Sequence, residues 1–497
     1  MRRDDERGAK GRAMYVPFGP YGTMMGMIVI LTPILCWYFT RSHVESRIPM
    51  NKVKSEIKSK RYYLHICGYL IIILWKKLTD WMNEPIKVKT GHYTDLIQGF
   101  EGNAVLWIQN TFSNPVMTEI LNFHYLFIYL FLIYVTTIYY MYTGERDLTD
   151  KVTLNYILIY ALAVPYYLFF NVEVTSSYIP GMDALLYHDY WYAEFYAEHD
   201  PLDNCVPSLH IAIPFGILAI NWLHVREKGI DIREWKHFAY HRFIFWNTVL
   251  FGFAILYLGI HWIVDIPLGI MIGGIGALFI HHLHPRLRND YGKLFKGFNR
   301  IKLSRHIFIE GIVVLVMFAA LMGGLNYQDE TMENRPSMIL GPNDSNFDII
   351  QPIPEGETAE IFLTNMDDSQ SIEIVVIDLM ESIQAMGQSE IRWDKLISIQ
   401  ESIVLLPGET HQEIVTHGEE YTLAIVHHPG HQDDEIKVHI YVEYSQGAPV
   451  NLALILSLPS LWMTGFVIHR LGRLKAKGMP LTTSLPSHVW NQNDESE

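Results

Sequence analysis

Charge is scarce in this chain. Asp, Glu, Lys and Arg make up 18% of its 497 residues, below the ~25% of an average soluble domain, while apolar residues reach 49%. Cysteine is scarcer still, with three in all. Cys36 and Cys67 sit in apolar runs and Cys205 stands apart from both, which excludes a disulfide framework and a cysteine-based zinc spacing and leaves free thiols as the expectation. Positive charge is nearly missing from one long stretch. Between Asn326 and Gly447 there are 24 acidic residues against Arg335, Arg392, Lys395 and Lys437, so this segment carries −20 and the rest +5, for a net charge of −15. Such segregation excludes a uniformly soluble chain, a disordered acidic tail and a nucleic-acid binder. A small-residue cleavage site is also absent after the charged Met1–Met14 segment, which points to an uncleaved N-terminus rather than a signal peptide.

What the chain has instead is apolar runs of membrane-spanning length. They lie near 24–40, 122–142, 151–171, 207–223, 243–260, 262–281, 307–325 and 449–469, with a shorter one near 62–76. Lys and Arg set the orientation. Arg226 to Arg242, Arg286 to Arg305 and Arg470 to Lys477 are basic loops expected inside, as is the Arg41–Arg61 loop with its seven basic residues. The 172–206 loop, the 260–262 junction and the acidic segment then fall outside. Nine spans with an inner C-terminus also place the N-terminus outside, against the five basic residues of Met1–Met14; that end moves inside if the 24–40 or the 62–76 run does not cross. Within the acidic segment, alternating runs at Glu360–Thr364, Ile372–Ile377, Tyr421–Val426 and Ile436–Val442 are separated by Pro-Gly-type turns. That pattern predicts a small antiparallel sandwich.

Two places put polar chemistry at the outer ends of spans, where ionisable side chains are costly and mark function by default. The first is Pro207-Ser208-Leu209-His210, opening a helix whose free N–H groups and dipole favour an anion such as phosphate. The second is His261-Trp-Ile-Val-Asp265. Four residues apart, the imidazole and carboxylate share a helix face, and the carboxylate would fix the tautomer and leave the other ring nitrogen free as base or nucleophile. Gly269, one turn on, admits a neighbouring helix.

This pair resembles the second and third signature motifs of the type 2 phosphatidic acid phosphatase superfamily, Pro-Ser-Gly-His and His-x-x-x-Asp preceded by an Arg. The Pro-Ser-Leu-His form is similar to the branch that includes inositol phosphorylceramide synthases. The resemblance covers about 62–281 and implies a six-helix phosphatase-like membrane core. It also implies roles: His261 as the nucleophile that takes the phosphoryl group, Asp265 as its orienting partner, His210 as the acid for the leaving oxygen and Ser208 as a ligand to phosphate, with no metal and no cofactor. Two family elements are missing. The 172–206 loop, where Lys-x6-Arg-Pro belongs, has no Lys or Arg, and Ile255 stands where an Arg precedes the nucleophile. Their loss leaves the helix N-terminus, Ser208 and His210; either Lys76, Lys77, Lys87 or Lys89 of the other outer loop substitutes, or an imidazolium does, or activity is feeble.

Other signals have plainer readings. The aromatic outer loop from Tyr178 to Tyr196 reads as an interfacial belt, and His188 and His199 within it as solvated. His427, His428 and His431 with Asp433 and Asp434 read as a solvated strand turn rather than a metal site. His281, His282 and His284 adjoin a basic stretch and read as headgroup contacts.

The expected fold is therefore a mainly α, polytopic membrane protein with an extracytoplasmic all-β sandwich. Residues 1–61 carry an extra span, 62–281 the core, 282–325 a basic loop and span, 326–447 the acidic β module, 448–478 a last span with its basic flank, and 479–497 a disordered tail. The expected function is a phosphatase or phosphotransferase acting on a membrane lipid phosphate or isoprenoid (di)phosphate, through a phosphohistidine, at the outer leaflet. The contrasting expectation is a non-catalytic lipid-binding or surface-interaction protein on a degenerate core. The outer β module leaves room for a surface partner; nucleic acid is excluded.

Overall fold

A computed structural model describes residues 19–90, 93–187, 205–289, 308–319, 332–334, 338–350, 358–382, 385, 391–416, 422–430, 436–444, 450–466 and 469. The chain forms α1 (Gly19–Phe39), α2 (Leu64–Thr90), α3 (Thr94–Glu101), α4 (Pro115–Tyr142), α5 (Arg146–Phe169), α6 (Leu209–Glu227), α7 (Phe238–Tyr257) and α8 (Asp265–Asn289) before the acidic segment, and α9 (Val450–Phe466) after it. Four helices among the described residues, α1, α4, α5 and α6, are long and apolar enough to cross a membrane. The remaining expected spans are shorter or interrupted for visible reasons. In α8 the apolar part is Asp265–His281 and the basic tail follows it. Helix α7 carries His241 and Arg242 at the end of its first turn, and α2 turns polar at Lys76 and Lys77.

Helices α6 and α8 are set by small residues. A Cβ on Gly269 would lie 2.8 Å from the Ser208 carbonyl oxygen and 2.9 Å from Ile211 Cβ, and one on Gly273 would strike the Ala212 carbonyl. Between helices in lipid, where apolar burial gives no drive, such close backbone approach is what dispersion rewards. Gly273→Val is therefore expected to cost about 1–3 kcal/mol through overpacking, read as a lower thermal midpoint of the detergent-solubilised protein. An unchanged midpoint would show that the two backbones are not in contact.

Helix α4 contains a π turn at His124–Ile128, a widening that redirects the side chains on it. At the far end of the bundle the Asp150 carboxylate meets His65 Nε2 at 2.9 Å, Arg146 Nε at 2.7 Å and His284 Nε2 at 3.2 Å. His281 is fully buried with its Nδ1 3.5 Å from Lys151 Nζ. These two histidines, read from sequence as headgroup contacts, are instead buried in a polar network between helices, because α8 continues as helix and carries them along α5.

The acidic segment is a β-sheet region, as its alternation predicts. Strands β1 (Met332–Asn334), β2 (Met338–Leu340), β3 (Ser345–Ile350), β4 (Thr358–Asn365), β5 (Ile372–Asp378), β6 (Ile403–Leu405), β7 (Thr410–Thr416), β8 (Thr422–His427) and β9 (Ile436–Tyr444) form two antiparallel sheets. One runs β1-β9-β4-β7 with β2 also on β9, the other β3-β8-β5-β6. Ile361 and Leu363 of β4, Ile374 of β5, Val426 of β8 and Ile440 of β9 belong to one buried apolar cluster drawn from both sheets.

Candidate active site

Helix α6 begins at Leu209, two residues after Pro207, with Ser208 in the N-cap position. The expectation that Pro207 opens the first turn is thus corrected: its carbonyl accepts the Tyr167 hydroxyl at 3.0 Å and Pro207 stays outside the helix. Ser208 is fully buried and its Oγ makes no hydrogen bond among the described residues. Nor do the Leu209 and His210 N–H groups find an acceptor there. The helix start therefore presents three uncommitted donors in one place.

The His210 ring is buried against aromatic faces supplied by the π turn and the residue after it. It stacks on Tyr125 with centroids 3.7 Å apart and is met by Tyr129 at 3.9 Å and by Phe251 at 5.7 Å. No hydrogen bond ties either ring nitrogen among the described residues. His210 is within electrostatic range of His261 and of His124, itself held by Asn247 at 2.9 Å.

The second half is built at the start of α8. The chain leaves α7, turns at Gly259 (φ +80°), and passes through His261 before any helix forms. A Cβ on Gly259 would lie 2.7 Å from the Asp183 carbonyl oxygen, so both the dihedral and the space call for glycine. His261 and Asp265 consequently do not meet across a helical face. Asp265 reaches back from the first helical turn, its Oδ2 accepting the Trp262 N–H at 3.0 Å and the His261 Nδ1–H at 3.0 Å, much as an acidic side chain does in a capping box. With Nδ1 committed as donor, Nε2 keeps its lone pair and has no hydrogen-bond partner among the described residues.

Cys205 completes this cluster. Its Sγ lies 3.2 Å from Asp265 Oδ2, 3.5 Å from His261 Nδ1 and 3.0 Å from the Ile260 carbonyl oxygen. Glu101, ending α3, accepts the next two N–H groups of the turn, Ile263 and Val264, at 2.7 Å each. Burial raises the Glu101 carboxyl above its ordinary range, against the two donors that favour its anion. Two carboxylates thus satisfy the N-terminus of α8, whereas that of α6 is left open.

The structure brings His261 and Asp265 into contact, packs the Ser208 carbonyl against Gly269 one turn on from Asp265, and sets His210 within electrostatic range of His261. Lys87 and Lys89 fall in the last turn of α2, and their side chains lie outside the described residues. Lys76 pairs with Asp80 at 2.6 Å. No Lys or Arg among the described residues pairs with any of the four. His188, His199 and the loop aromatics beyond Tyr187 also lie outside the described residues, as do His431, Asp433 and Asp434. His427 stacks on Trp393 at 4.5 Å, and His428 bonds Gln370 and the Gly341 carbonyl, so both rings are engaged in the β region. Sequence reasoning missed Cys205, Glu101, His124, Tyr125 and Tyr129. The two tyrosines carried a faint signal in their spacing of four; Glu101 carried none, since nothing in the order of residues ties it to a turn at 263.

Two buried imidazoles, one braced by a carboxylate and the other at an open helix start, make a site suited to a tetrahedral anion. The family model of the PAP2 superfamily matches residues 182–289, a stretch that spans Cys205, Ser208, α6, α7, His261 and α8. The match supports an enzyme of the membrane phosphatase or phosphotransferase type. No curated protein and no solved structure matches the chain.

Proposed function

We propose that the chain is an integral-membrane lipid phosphatase or phosphotransferase working through a phosphohistidine at the outer leaflet. The observation that carries this reading is the His261–Asp265 contact at 3.0 Å with Nε2 without a partner among the described residues, together with His210 at the open start of α6. In the first step Nε2 forms a bond to phosphorus while the bond to the lipid-side oxygen breaks, and His210 gives that oxygen its proton. In the second, water or an acceptor alcohol attacks the phosphohistidine, His210 takes its proton, and phosphate or the new ester leaves. Splitting one displacement into two lowers each barrier. Ser208 Oγ and the N–H groups of Leu209 and His210 receive the phosphoryl oxygens, and no metal takes part. Lys87 and Lys89 add charge from α2, whose end lies on this side of the bundle: Tyr93 just beyond it donates to the Asn171 carbonyl, and Cys205 donates to that of Val172.

A groove supports a lipid substrate. Between α6, α7 and α8 runs an apolar hollow of about 780 Å³, lined by Ile211, Phe215, Thr248, Gly252 and Ile266 near the site and by Trp222 further down. Ile211 and Ile266 adjoin His210 and Asp265 in the chain. From Ile211 to Trp222 the helix advances roughly 16 Å, close to the ~15 Å half-thickness of a ~30 Å hydrocarbon core. One leaflet's chain fits that length.

In the experiment that tests this, purified protein in detergent with EDTA releases phosphate from a long-chain lipid phosphate and from a short-chain soluble analogue. Gly252→Phe fills the groove where a Cβ meets only ordinary contacts, and is expected to lower kcat/KM for the long chain by roughly tenfold, in line with ~1–3 kcal/mol for a blocked apolar subsite, with the short chain unaffected. No turnover of either substrate by the wild type would leave a lipid-binding scaffold.

A further inference from the structure

The cluster behind His261 has the composition of a metal site. Cys205 Sγ, His261 Nδ1 and Asp265 Oδ2 form a triangle with edges of 3.0, 3.2 and 3.5 Å, and all three residues are buried. Zinc bonds of ~2.0–2.1 Å to nitrogen, ~2.0–2.2 Å to oxygen and ~2.3 Å to sulfur in a tetrahedron put those atoms about 3.3–3.6 Å apart. The triangle need open by only a few tenths of an ångström. Charge points the same way. Asp265 is fully buried; its Oδ2 accepts the His261 and Trp262 N–H groups, but among the described residues its Oδ1 has no hydrogen bond and no Lys or Arg pairs with it, whereas buried carboxylates are paired with cations or coordinate metals. A dication with one thiolate and one carboxylate is neutral overall.

We propose that Cys205, His261 and Asp265 bind a thiophilic divalent cation, of the zinc and cadmium kind, and that this cation switches the site off. The inference rests on the phosphohistidine reading for its effect on rate, though not for the binding itself. On binding, the Cys205 thiol loses its proton to water, sulfur bonds the metal, and Nδ1 becomes a metal ligand. The imidazole proton then sits on Nε2. That nitrogen has lost the lone pair that attacks phosphorus, and Asp265 no longer orients the ring. The Ile260 carbonyl, 3.0 Å from Sγ, or a water supplies the fourth position. Ser208 and His210 keep their places, so inhibition does not require substrate to be displaced.

The full-length protein in detergent tests this with two readouts. Cadmium added to a Cys36→Ser/Cys67→Ser protein should give the ultraviolet thiolate-to-metal charge-transfer band, and that band should vanish in Cys205→Ala and in Cys205→Ser. Zinc should slow phosphate release, EDTA should restore it, and both Cys205 variants should resist zinc when compared with their own metal-free rates. A group that merely orients a ligand is worth ~10–100-fold in metal affinity, so loss of the thiolate should raise the half-inhibiting zinc concentration at least ~100-fold. No band, or a Cys205-dependent band with an unslowed rate, overturns the proposal. The band is read without substrate. A protein that releases no phosphate at all therefore sinks the enzymatic reading while the spectrum still decides the metal site.

Discussion

Removing the His261 ring is expected to abolish most phosphate release. His261→Ala should lower kcat by at least the ~10² that a positioned catalytic group contributes, with lipid binding retained, since the groove and the start of α6 do not depend on the ring. Alanine leaves Asp265 with the Trp262 N–H and Cys205 as donors, so the turn keeps two of its anchors. The measurement is single-turnover phosphate release together with a rapid-quench search for a phosphorylated protein. Wild type should trap label on the chain and the variant should not. Equal turnover by the two proteins would end the nucleophile assignment.

Asp265→Asn is the finer probe, because it removes one charge with little change in shape. One oxygen, Oδ2, accepts both the Trp262 N–H and the His261 Nδ1–H, so an asparagine oxygen in that place keeps the cap on α8 and the tautomer together. What is lost is the carboxylate charge that stabilises the ring as it turns cationic on bonding phosphorus. A hydrogen bond to a charged partner is worth about 1–2 kcal/mol more than one to a neutral partner, so a loss of roughly tenfold in kcat is expected, with KM little changed. Thermal unfolding close to that of the wild type would separate this effect from damage to the helix cap. A variant with full activity would mean that the charge behind the 3.0 Å contact does not assist the ring.

Much of this was legible in the order of residues. The acidic segment alternates with period two and is β in the structure, because alternation is a direct image of sheet burial. Ser208, His210, His261 and Asp265 stood out as polar groups at the ends of apolar runs; His261 and Asp265 meet at 3.0 Å, and the Ser208 carbonyl packs against Gly269, one turn on from Asp265. The route by which they meet was less visible. A spacing of four suggests a helical face, yet Gly259 and the Trp262–Asp265 cap make a turn that gives the same proximity by another path. Cys205 was hidden because a single cysteine looks like any small apolar residue until tertiary structure places it 3.2 Å from a carboxylate. Tyr125, Tyr129 and Glu101 were hidden for the same reason: their partners are distant in the chain and no local period encodes the encounter. The boundaries of the spans were blurred where basic residues enter an apolar run, as at Lys76 in α2 and Arg242 in α7.

The glycine seam between α6 and α8 bears on how the protein tolerates its lipid surroundings. Gly269 and Gly273 let main chain rest on main chain, so no long side chain stands between the two helices to act as a compressible spacer. Bilayers differ by a few ångströms in thickness between compartments, and helices answer such mismatch chiefly by tilting. A pair welded in this way leans as one body, and the separation of the two imidazoles stays constant while their depth changes.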